Sequence, residues 1–268
     1  MDGAVVLAAV GAAAARVRVE PAGGLLTSLV VGGHELLAWP DVPGRGSFPA
    51  GCFPMAPYAG RVGGAVLPSG ESLPVALPPH AAHGVTYDVE WGVATVGEDC
   101  CRLETALDRR WPFGGTAWQE VRLLPDRLEV ELGVRAGAVA MPAWLGLHPW
   151  WRRTVAGTPV RLELPADALM FERGPDRLPT GALVDVGTGP WDDCLQLPAA
   201  GAAVRLVWPD VLTLAVSSDA RYAVVFDELP DAVCVEPQSA PPDAARLGRA
   251  PFLAPGTAHT LTSTFAWS

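Results

Sequence analysis

Two side chains in this sequence combine a residue type and a local setting that suit proton transfer. His148 stands in LGLHPWW, where the following proline predicts a strand-to-loop junction, and Glu236 follows the apolar run AVCV. Histidine exchanges protons near neutral pH because its ordinary pKa is about 6.5. Burial of Glu236 would raise its pKa towards the same range, which suits a general base. Read alone, each also fits a structural role, as a histidine satisfying a local hydrogen bond or a glutamate exposed at a strand end. As a pair they make general acid–base chemistry the first hypothesis.

Four further side chains have types that bind hydroxyl groups or an apolar ligand face. His83 precedes a glycine in HAAHGVTYDVEW, at a second predicted strand-to-loop junction. Arg61, in PYAGRVGGA, offers forked donors, and its alternative role is to hold a loop through carbonyl groups. Asp192 begins DDCLQL and could accept hydrogen bonds from hydroxyls, although Asp193 could take its place, and both also suit a turn. Trp150 is the candidate for a pocket wall, while core packing is the alternative for most tryptophans.

Motifs for other chemistries are missing from the sequence. The Asp192–Asp193 pair could bind a divalent cation, but no D-x-D-x-D loop or H-E-x-x-H helix accompanies it. There is also no G-x-S-x-G elbow, no Walker loop and no dinucleotide fingerprint. We therefore predict neither a metal nor a cofactor.

The net negative charge of the chain argues against anionic binding partners. The chain has 19 Lys and Arg against 29 Asp and Glu, a formal net charge of −10 and a pI of about 4.9. No run of basic residues occurs in it. Nucleic acids and anionic membranes attract clustered Lys and Arg, so we predict neither as a partner.

Cysteine usage bears on the compartment. The five cysteines are an odd number and none has C-x-x-C spacing, which argues against a disulfide framework or a structural zinc site. Free thiols are typical of a reducing environment. The expected location is the cytoplasm.

Short segments with period-two alternation recur between turn residues. The chain contains 29 Gly and 27 Pro, which interrupt almost every window that a helix would need. This pattern predicts an all-β fold, a large antiparallel β-sandwich, in a single domain over residues 1–268. The predicted strands include Arg16–Glu20, Leu25–Val31, Arg127–Val134, Val160–Leu164, Val204–Trp208, Leu212–Ser218 and Tyr222–Phe226.

The apolar start of the chain allows two interpretations. Residues 1–20 contain small and apolar residues like a secretory signal, but Asp2 precedes the apolar run and no Lys or Arg does. We interpret Val5–Leu7 and Arg16–Glu20 as strands around a small-residue turn, with a signal peptide as the alternative.

Five segments, in their order along the chain, resemble the landmarks of the aldose 1-epimerase (galactose mutarotase-like) family. They are PYAGRVGGA, HAAHGVTYDVEW, LGLHPWW, WDDCLQL and VEPQSAPPDA, and GGLLTSLVVGGHELL resembles the family's N-terminal strand–turn–strand. The resemblance spans nearly the whole chain and implies the galactose mutarotase-like supersandwich fold. It also implies a monosaccharide as the small-molecule partner and interconversion of its α and β anomers as the activity.

The resemblance also assigns roles to residues. It implies that His148 is the general acid towards the ring oxygen and Glu236 the general base for the anomeric hydroxyl. His83, Arg61 and Asp192 correspond to substrate-binding positions. Two departures, Gly60 before the arginine in place of the common Asn and a Trp-Trp pair after His-Pro in place of Tyr-Phe, leave the sugar preference open.

Two alternative functions remain at this point. One is a hexose-6-phosphate 1-epimerase, whose phosphate would need a cationic cluster that Arg61 could form with Arg45, or with Arg152 and Arg153. The other is a non-catalytic carbohydrate-binding protein on the same fold, since fold does not determine function. An acid–base pair would have no use in a pure binder.

Overall fold

The computed structural model describes residues 3–11, 13–40 and 48–268, and Arg45 lies outside them. In this part of the chain the strands are β1 (Val5–Ala9), β2 (Ala15–Glu20), β3 (Leu25–Val31), β4 (His34–Glu35), β5 (Cys52–Met55), β6 (Arg61–Val62), β7 (Ala81–Ala82), β8 (Gly92–Val96), β9 (Cys100–Ala106), β10 (Thr116–Leu123), β11 (Arg127–Arg135), β12 (Met141–Pro142) and β13 (Gly146–Arg152). They continue as β14 (Thr154–Val155), β15 (Thr158–Pro159), β16 (Arg161–Glu163), β17 (Leu169–Arg173), β18 (Pro179–Asp185), β19 (Asp192–Gln196), β20 (Val204–Trp208), β21 (Leu212–Ser218), β22 (Tyr222–Phe226), β23 (Ala232–Gln238), β24 (Phe252–Leu253) and β25 (Ala258–Trp267). One 3₁₀ turn spans Gly63–Ala65.

Two antiparallel sheets form the body of the fold. The larger sheet has 11 strands in the order β1-β2-β3-β5-β13-β23-β22-β19-β17-β18, with β4 paired to β3. The smaller sheet has eight strands in the order β16-β20-β21-β25-β11-β10-β9-β8. The short strands form three two-stranded pairs, β12 with β24, β14 with β15 and β6 with β7.

The sheets pack face to face over one hydrophobic core. Its members come from both sheets, and the Trp151 and Phe265 rings, on β13 and β25, meet edge to face with centroids 5.2 Å apart. Strand β21 of the smaller sheet alternates strictly between buried and partly exposed residues. Such alternation is the pattern of an antiparallel sheet with one face on a core and one face in water.

The all-β sandwich predicted from the sequence is confirmed, and so are the predicted strands. Leu25–Val31, Val204–Trp208, Leu212–Ser218 and Tyr222–Phe226 have the predicted bounds, and Val160–Leu164 is shorter, as Arg161–Glu163. The two N-terminal strands form as β1 and β2, paired with each other. No helix within residues 3–11, 13–40 and 48–268 is long and apolar enough to cross a membrane.

The central strands of the larger sheet are buried on both faces. All seven residues of β23, all four of β5 and six of the seven in β13 are buried. Leu147 and Trp151 point to the core between the sheets, whereas Trp150 belongs to a separate buried cluster with Cys234. These strands therefore have a second covered face, on the side away from the smaller sheet.

Candidate active site

His148 and Glu236 lie side by side on that second face. Strands β13 and β23 pair at Gly146–Gln238 and Trp150–Cys234, and these two pairs flank His148 and Glu236 on the neighbouring strands. His148 Nε2 lies 3.2 Å from Glu236 Oε1. The predicted junction position of His148 is wrong, because the residue lies in the interior of β13. Glu236 likewise lies within β23 and not at an exposed strand end.

Burial controls the acidity of Glu236. Only 3% of the residue is exposed. Burial, followed by the negative charge of Asp192, raises the pKa of Glu236 to about 8, although Arg61 and a hydrogen bond from Gln238 act in the opposite direction. A carboxyl with a pKa near neutrality can both take and return a proton under physiological conditions.

The pair forms part of the floor of a cavity of about 350 Å³, which lies in the range typical of small-molecule sites. All six predicted site residues line it, so the structure brings the whole set together. The lining residues are Phe48, Gly60, Arg61, Leu77, His83, His148, Trp150, Arg177, Asp192, Val224, Phe226, Glu228, Leu229, Glu236, Gln238 and Pro242.

His83 is held in the cavity wall by a tight turn after β7. Its φ is +60° and that of Gly84 is +78°. A Cβ atom at position 84 would overlap the Ala56 carbonyl oxygen, so the turn requires glycine. His83 Nδ1 contacts the Met55 sulfur at 3.0 Å. Because a thioether only accepts hydrogen bonds, this contact favours a proton on Nδ1 and leaves Nε2 as an acceptor.

The neutral form of His83 is further favoured by its surroundings. Burial, followed by His148 and Arg61, lowers the pKa of His83 well below 6.5. The His83 and His148 rings meet edge to face with centroids 5.0 Å apart. His83 is thus suited to hydrogen bonding and not to carrying charge.

Arg61 and Asp192 form an ion pair on another wall. Arg61 Nη2 donates to Asp192 Oδ2 at 3.1 Å, and Arg173 and Arg177 approach the same oxygen at 3.7 and 3.6 Å. Asp192 lines the cavity, whereas Asp193 faces Arg173, whose Nε lies 3.3 Å from its Oδ1. Of the two carboxylates, Asp192 is therefore the one placed to meet a ligand.

Trp150 supplies an aromatic wall next to the pair. Its ring centroid lies 5.0 Å from that of His148 and 5.8 Å from that of Phe226. Trp151, the next residue, points to the core. Trp91 and Trp118 pack away from the cavity: Trp91 is in the core, and Trp118 donates to Glu131 on the smaller sheet.

Several cavity residues were missed by the sequence analysis. Gln238 lies two residues after Glu236 on the same strand and therefore on the same face, so period-two alternation carried a signal for it. Arg177 and Glu228 come from loops, and their 3.6 Å ion pair has no local sequence signal.

One cluster near the pair has the residue types of a metal site. Possible ligand atoms of His148, Cys234 and Glu236 lie within 4.8 Å of one another. Burial raises the pKa of the Cys234 thiol well above its usual range, which keeps it protonated and makes it a poor metal ligand. The arrangement fits a proton-transfer pair better than a metal centre.

A family model described as aldose 1-epimerase matches residues 8–266. The chain belongs to the aldose 1-epimerase family. Among proteins of curated function, no sequence matches significantly.

Solved structures share the fold over nearly the full chain. One is a putative aldose 1-epimerase from Escherichia coli K12, 21% identical, covering 99% of both chains with a TM-score of 0.77. A galactose mutarotase-like protein from Clostridium acetobutylicum is 13% identical, with 98% of both chains covered and a TM-score of 0.82. A galactose 1-epimerase from Lactobacillus acidophilus is 14% identical, with 100% of this chain and 99% of that chain covered and a TM-score of 0.78. The fold is thus galactose mutarotase-like.

Proposed function

We propose that this member of the family is an aldose 1-epimerase that interconverts the α and β anomers of a free hexose. Glu236 is the general base and His148 the general acid. The observation that carries the proposal is the 3.2 Å contact between His148 Nε2 and Glu236 Oε1 on the floor of the cavity.

The reaction needs two proton transfers at one hemiacetal. Glu236 removes the proton of the C1 hydroxyl, and the O1 electrons form the C1=O1 bond. The C1–O5 bond breaks towards O5, which takes the proton from His148 Nε2. After rotation about C1–C2, the O5 hydroxyl attacks the other face of C1, His148 recovers its proton and Glu236 returns the first one to O1. Protons and electrons balance over the cycle, so the residues present suffice.

The other side chains in the cavity wall are of types that bind sugars. The Arg61–Asp192 pair offers donors and an acceptor for ring hydroxyls, and His83 offers a neutral nitrogen. Trp150 provides an aromatic surface for the apolar side of a pyranose. Such contacts position C1 between Glu236 and His148, and positioning is a major part of the rate gain.

The charge around the cavity supports a free sugar over a sugar phosphate. The cavity cations Arg61 and Arg177 are each within 4 Å of a carboxylate of Asp192, and Arg177 also faces Glu228. A phosphate dianion would add negative charge next to the carboxylates already there. Both of these arginines already face a carboxylate, so neither is left to neutralise the added charge.

Arg152 and Arg153, at the end of β13, donate to backbone carbonyl oxygens and not towards a phosphate site. Arg153 donates to the carbonyl oxygens of Leu229 and Asp227, and Arg152 donates to that of Leu37. Neither lines the cavity.

The non-catalytic alternative does not account for a glutamate with a raised pKa next to His148.

The thiols bear on the proposed cell compartment. All five cysteines are free, and four of them are buried. Free thiols support the proposal that the protein works in the reducing cytoplasm.

Polarimetry of freshly dissolved α-glucose and α-galactose tests the proposed activity. We expect the wild-type protein to accelerate the change in rotation, and Glu236→Gln and His148→Asn each to lose about 10²–10⁴-fold in kcat, the usual contribution of general acid–base catalysis. Matched controls are Glu98→Gln and His34→Asn, which lie outside the cavity lining. Wild-type rates in Glu236→Gln would refute the assignment of the base. Sugar binding without any acceleration by the wild-type protein would favour the non-catalytic alternative.

A further inference from the structure

Gln238 is a fully buried polar residue that the proposed proton transfers do not use. Its exposed fraction is 0%, and it lines the cavity next to Glu236. Gln238 Nε2 donates a hydrogen bond to Glu236 Oε2 at 3.2 Å. Its other amide atom, Oε1, has no hydrogen-bond partner among the described residues. The bond to Glu236 is therefore the one side-chain hydrogen bond that orients this amide in the described structure.

The two oxygens of the Glu236 carboxylate have different partners. Oε1 faces His148 Nε2, and Oε2 accepts from Gln238. A sugar that enters between the acid and the base displaces the first contact, because O1 and O5 must then lie between the two side chains. The second contact uses the other carboxylate oxygen, so it can persist while the sugar reacts.

We propose that Gln238 is a positioning residue, which holds Glu236 Oε2 through its amide and so presents Oε1 to the anomeric hydroxyl. The inference rests on the proposed function of Glu236. Gln238 itself neither gives nor takes a proton in the reaction.

The backbone around Gln238 is built for this close approach. Gly146 is the residue directly across from Gln238 on β13. A Cβ atom at position 146 would lie 3.1 Å from Gln238 Cγ and 2.7 Å from Met55 Cε. The missing side chain leaves room for the stem of Gln238, so that its amide lies beside Glu236 on a rigid strand pair.

The contact also affects the ionisation of the base. A donor to the carboxylate stabilises its charged form, and the bond from Gln238 acts to lower the raised pKa of Glu236. Removal of the donor would leave the carboxylate less stable and free to turn. Both consequences differ from those of a merely structural glutamine, which would change stability and leave the ionisation of Glu236 unchanged.

The test compares Gln238→Met, which keeps the size and removes the donor, with Gln119→Met. Gln119 is matched because it is also 0% exposed, its Nε2 bonds the Gly24 carbonyl, and its Oε1 has no partner in the described part of the chain. The ionisation of Glu236 is followed by carboxyl infrared difference spectroscopy against Glu236→Gln, and the anomerisation rate by polarimetry.

We expect Gln238→Met to move the Glu236 titration to higher pH by about 0.5–1 unit, since hydrogen bonds to charged groups are among the stronger ones. We also expect kcat to fall about tenfold with little change in KM. Gln119→Met should leave both the titration and kcat as in the wild type. An unchanged Glu236 titration in folded Gln238→Met would overturn the inference.

A measurement on the wild-type protein covers the case in which Gln238→Met does not fold. The side-chain amide resonances of Gln238, assigned by ¹⁵N NMR, should shift with pH at the same midpoint as the Glu236 carboxyl. Independence of the two midpoints would also overturn the inference. The titrations need no catalysis, so a protein without anomerase activity would refute the proposed function separately from the contact between Gln238 and Glu236.

Discussion

The rings of Phe53 and His148 are stacked, with centroids 4.6 Å apart and an angle of 16° between their planes. The two residues are paired across β5 and β13. On its other sides the imidazole meets the edge of His83 and the tilted ring of Trp150, each with centroids 5.0 Å away. The proposed acid is thus held in one orientation by aromatic packing, which aims Nε2 at Glu236.

We expect Phe53→Leu to lower kcat about tenfold, because a loosened imidazole is less often aligned with the ring oxygen. The substitution should also lower the free energy of unfolding by about 1–2 kcal/mol. Phe265→Leu is the control, since Phe265 is equally buried in the core and lies outside the cavity lining. Polarimetry and urea unfolding would separate the two effects, and equal kcat losses in both variants would contradict the role of the stack.

Removing Asp192 and removing Arg61 should shift the pH dependence of kcat/KM in opposite directions. Activity that needs ionised Glu236 rises with pH through the pKa of that residue. The charge of Asp192 raises that pKa, so Asp192→Asn should move the rise in kcat/KM to lower pH, while KM increases about tenfold from lost hydroxyl contacts. Asp193→Asn should change neither the pH profile nor KM, because Asp193 lies outside the cavity lining. Similar pH profiles for the two variants would count against Asp192 as the cavity carboxylate.

The positive charge of Arg61 lowers the pKa of Glu236, so its removal acts in the other direction. We expect Arg61→Met to move the rise in kcat/KM to higher pH and to raise KM, as measured by polarimetry over pH 5–10. Arg152→Met is a matched control, because Arg152 is exposed and lies outside the cavity lining. A shift to lower pH in Arg61→Met would contradict the electrostatic account of Glu236.

The His83–Gly84 turn predicts a strict requirement for glycine. Gly84→Ala should lower the free energy of unfolding by at least about 1 kcal/mol and impair sugar binding, because the new Cβ meets the Ala56 carbonyl and displaces His83. Gly248→Ala separates the conformational cost from the clash, since Gly248 has a φ of +66° with no atom within 4 Å of the added Cβ. Thermal unfolding and KM would show whether only Gly84→Ala affects the site.

The strands could be predicted because their side chains alternate between the core and water. β20, β21 and β22 have the bounds that period-two patterning predicted. The family landmarks also indicated six residues that line one cavity in the structure, among them the proposed acid and base. A single domain over residues 1–268 stays a prediction, which the core shared by the two sheets supports.

Proline accounts for the wrong prediction that His148 lies at a strand-to-loop junction. Pro149, directly after His148, predicts a strand-to-loop junction because proline is rare in central strands, and Pro237 follows Glu236 in the same way. The structure shows both within strands, at the step where the β13–β23 pairs are interrupted between Gly146–Gln238 and Trp150–Cys234. Glu236 and Gln238 still share a face of β23, as residues two apart on one strand do. Arg177 and Glu228 were not predictable because their contact joins loops far apart in the chain.

The raised pKa of Glu236 predicts a conflict between activity and stability. Its pKa is about 8 in the folded protein against an ordinary value of 4.5, so between these values the folded protein binds more protons than the unfolded chain. Stability from this group therefore falls as pH rises from about 4.5 to 8. Glu236→Gln carries no charge in either state and should be more stable than the wild type at pH 8, by up to about 2–5 kcal/mol, with the difference shrinking towards pH 5. Urea unfolding at both pH values measures this, with Glu98→Gln as an exposed control. A Glu236→Gln variant that is less stable than the wild type at pH 8 would show that the carboxylate is stabilised by its site and that burial does not dominate its ionisation.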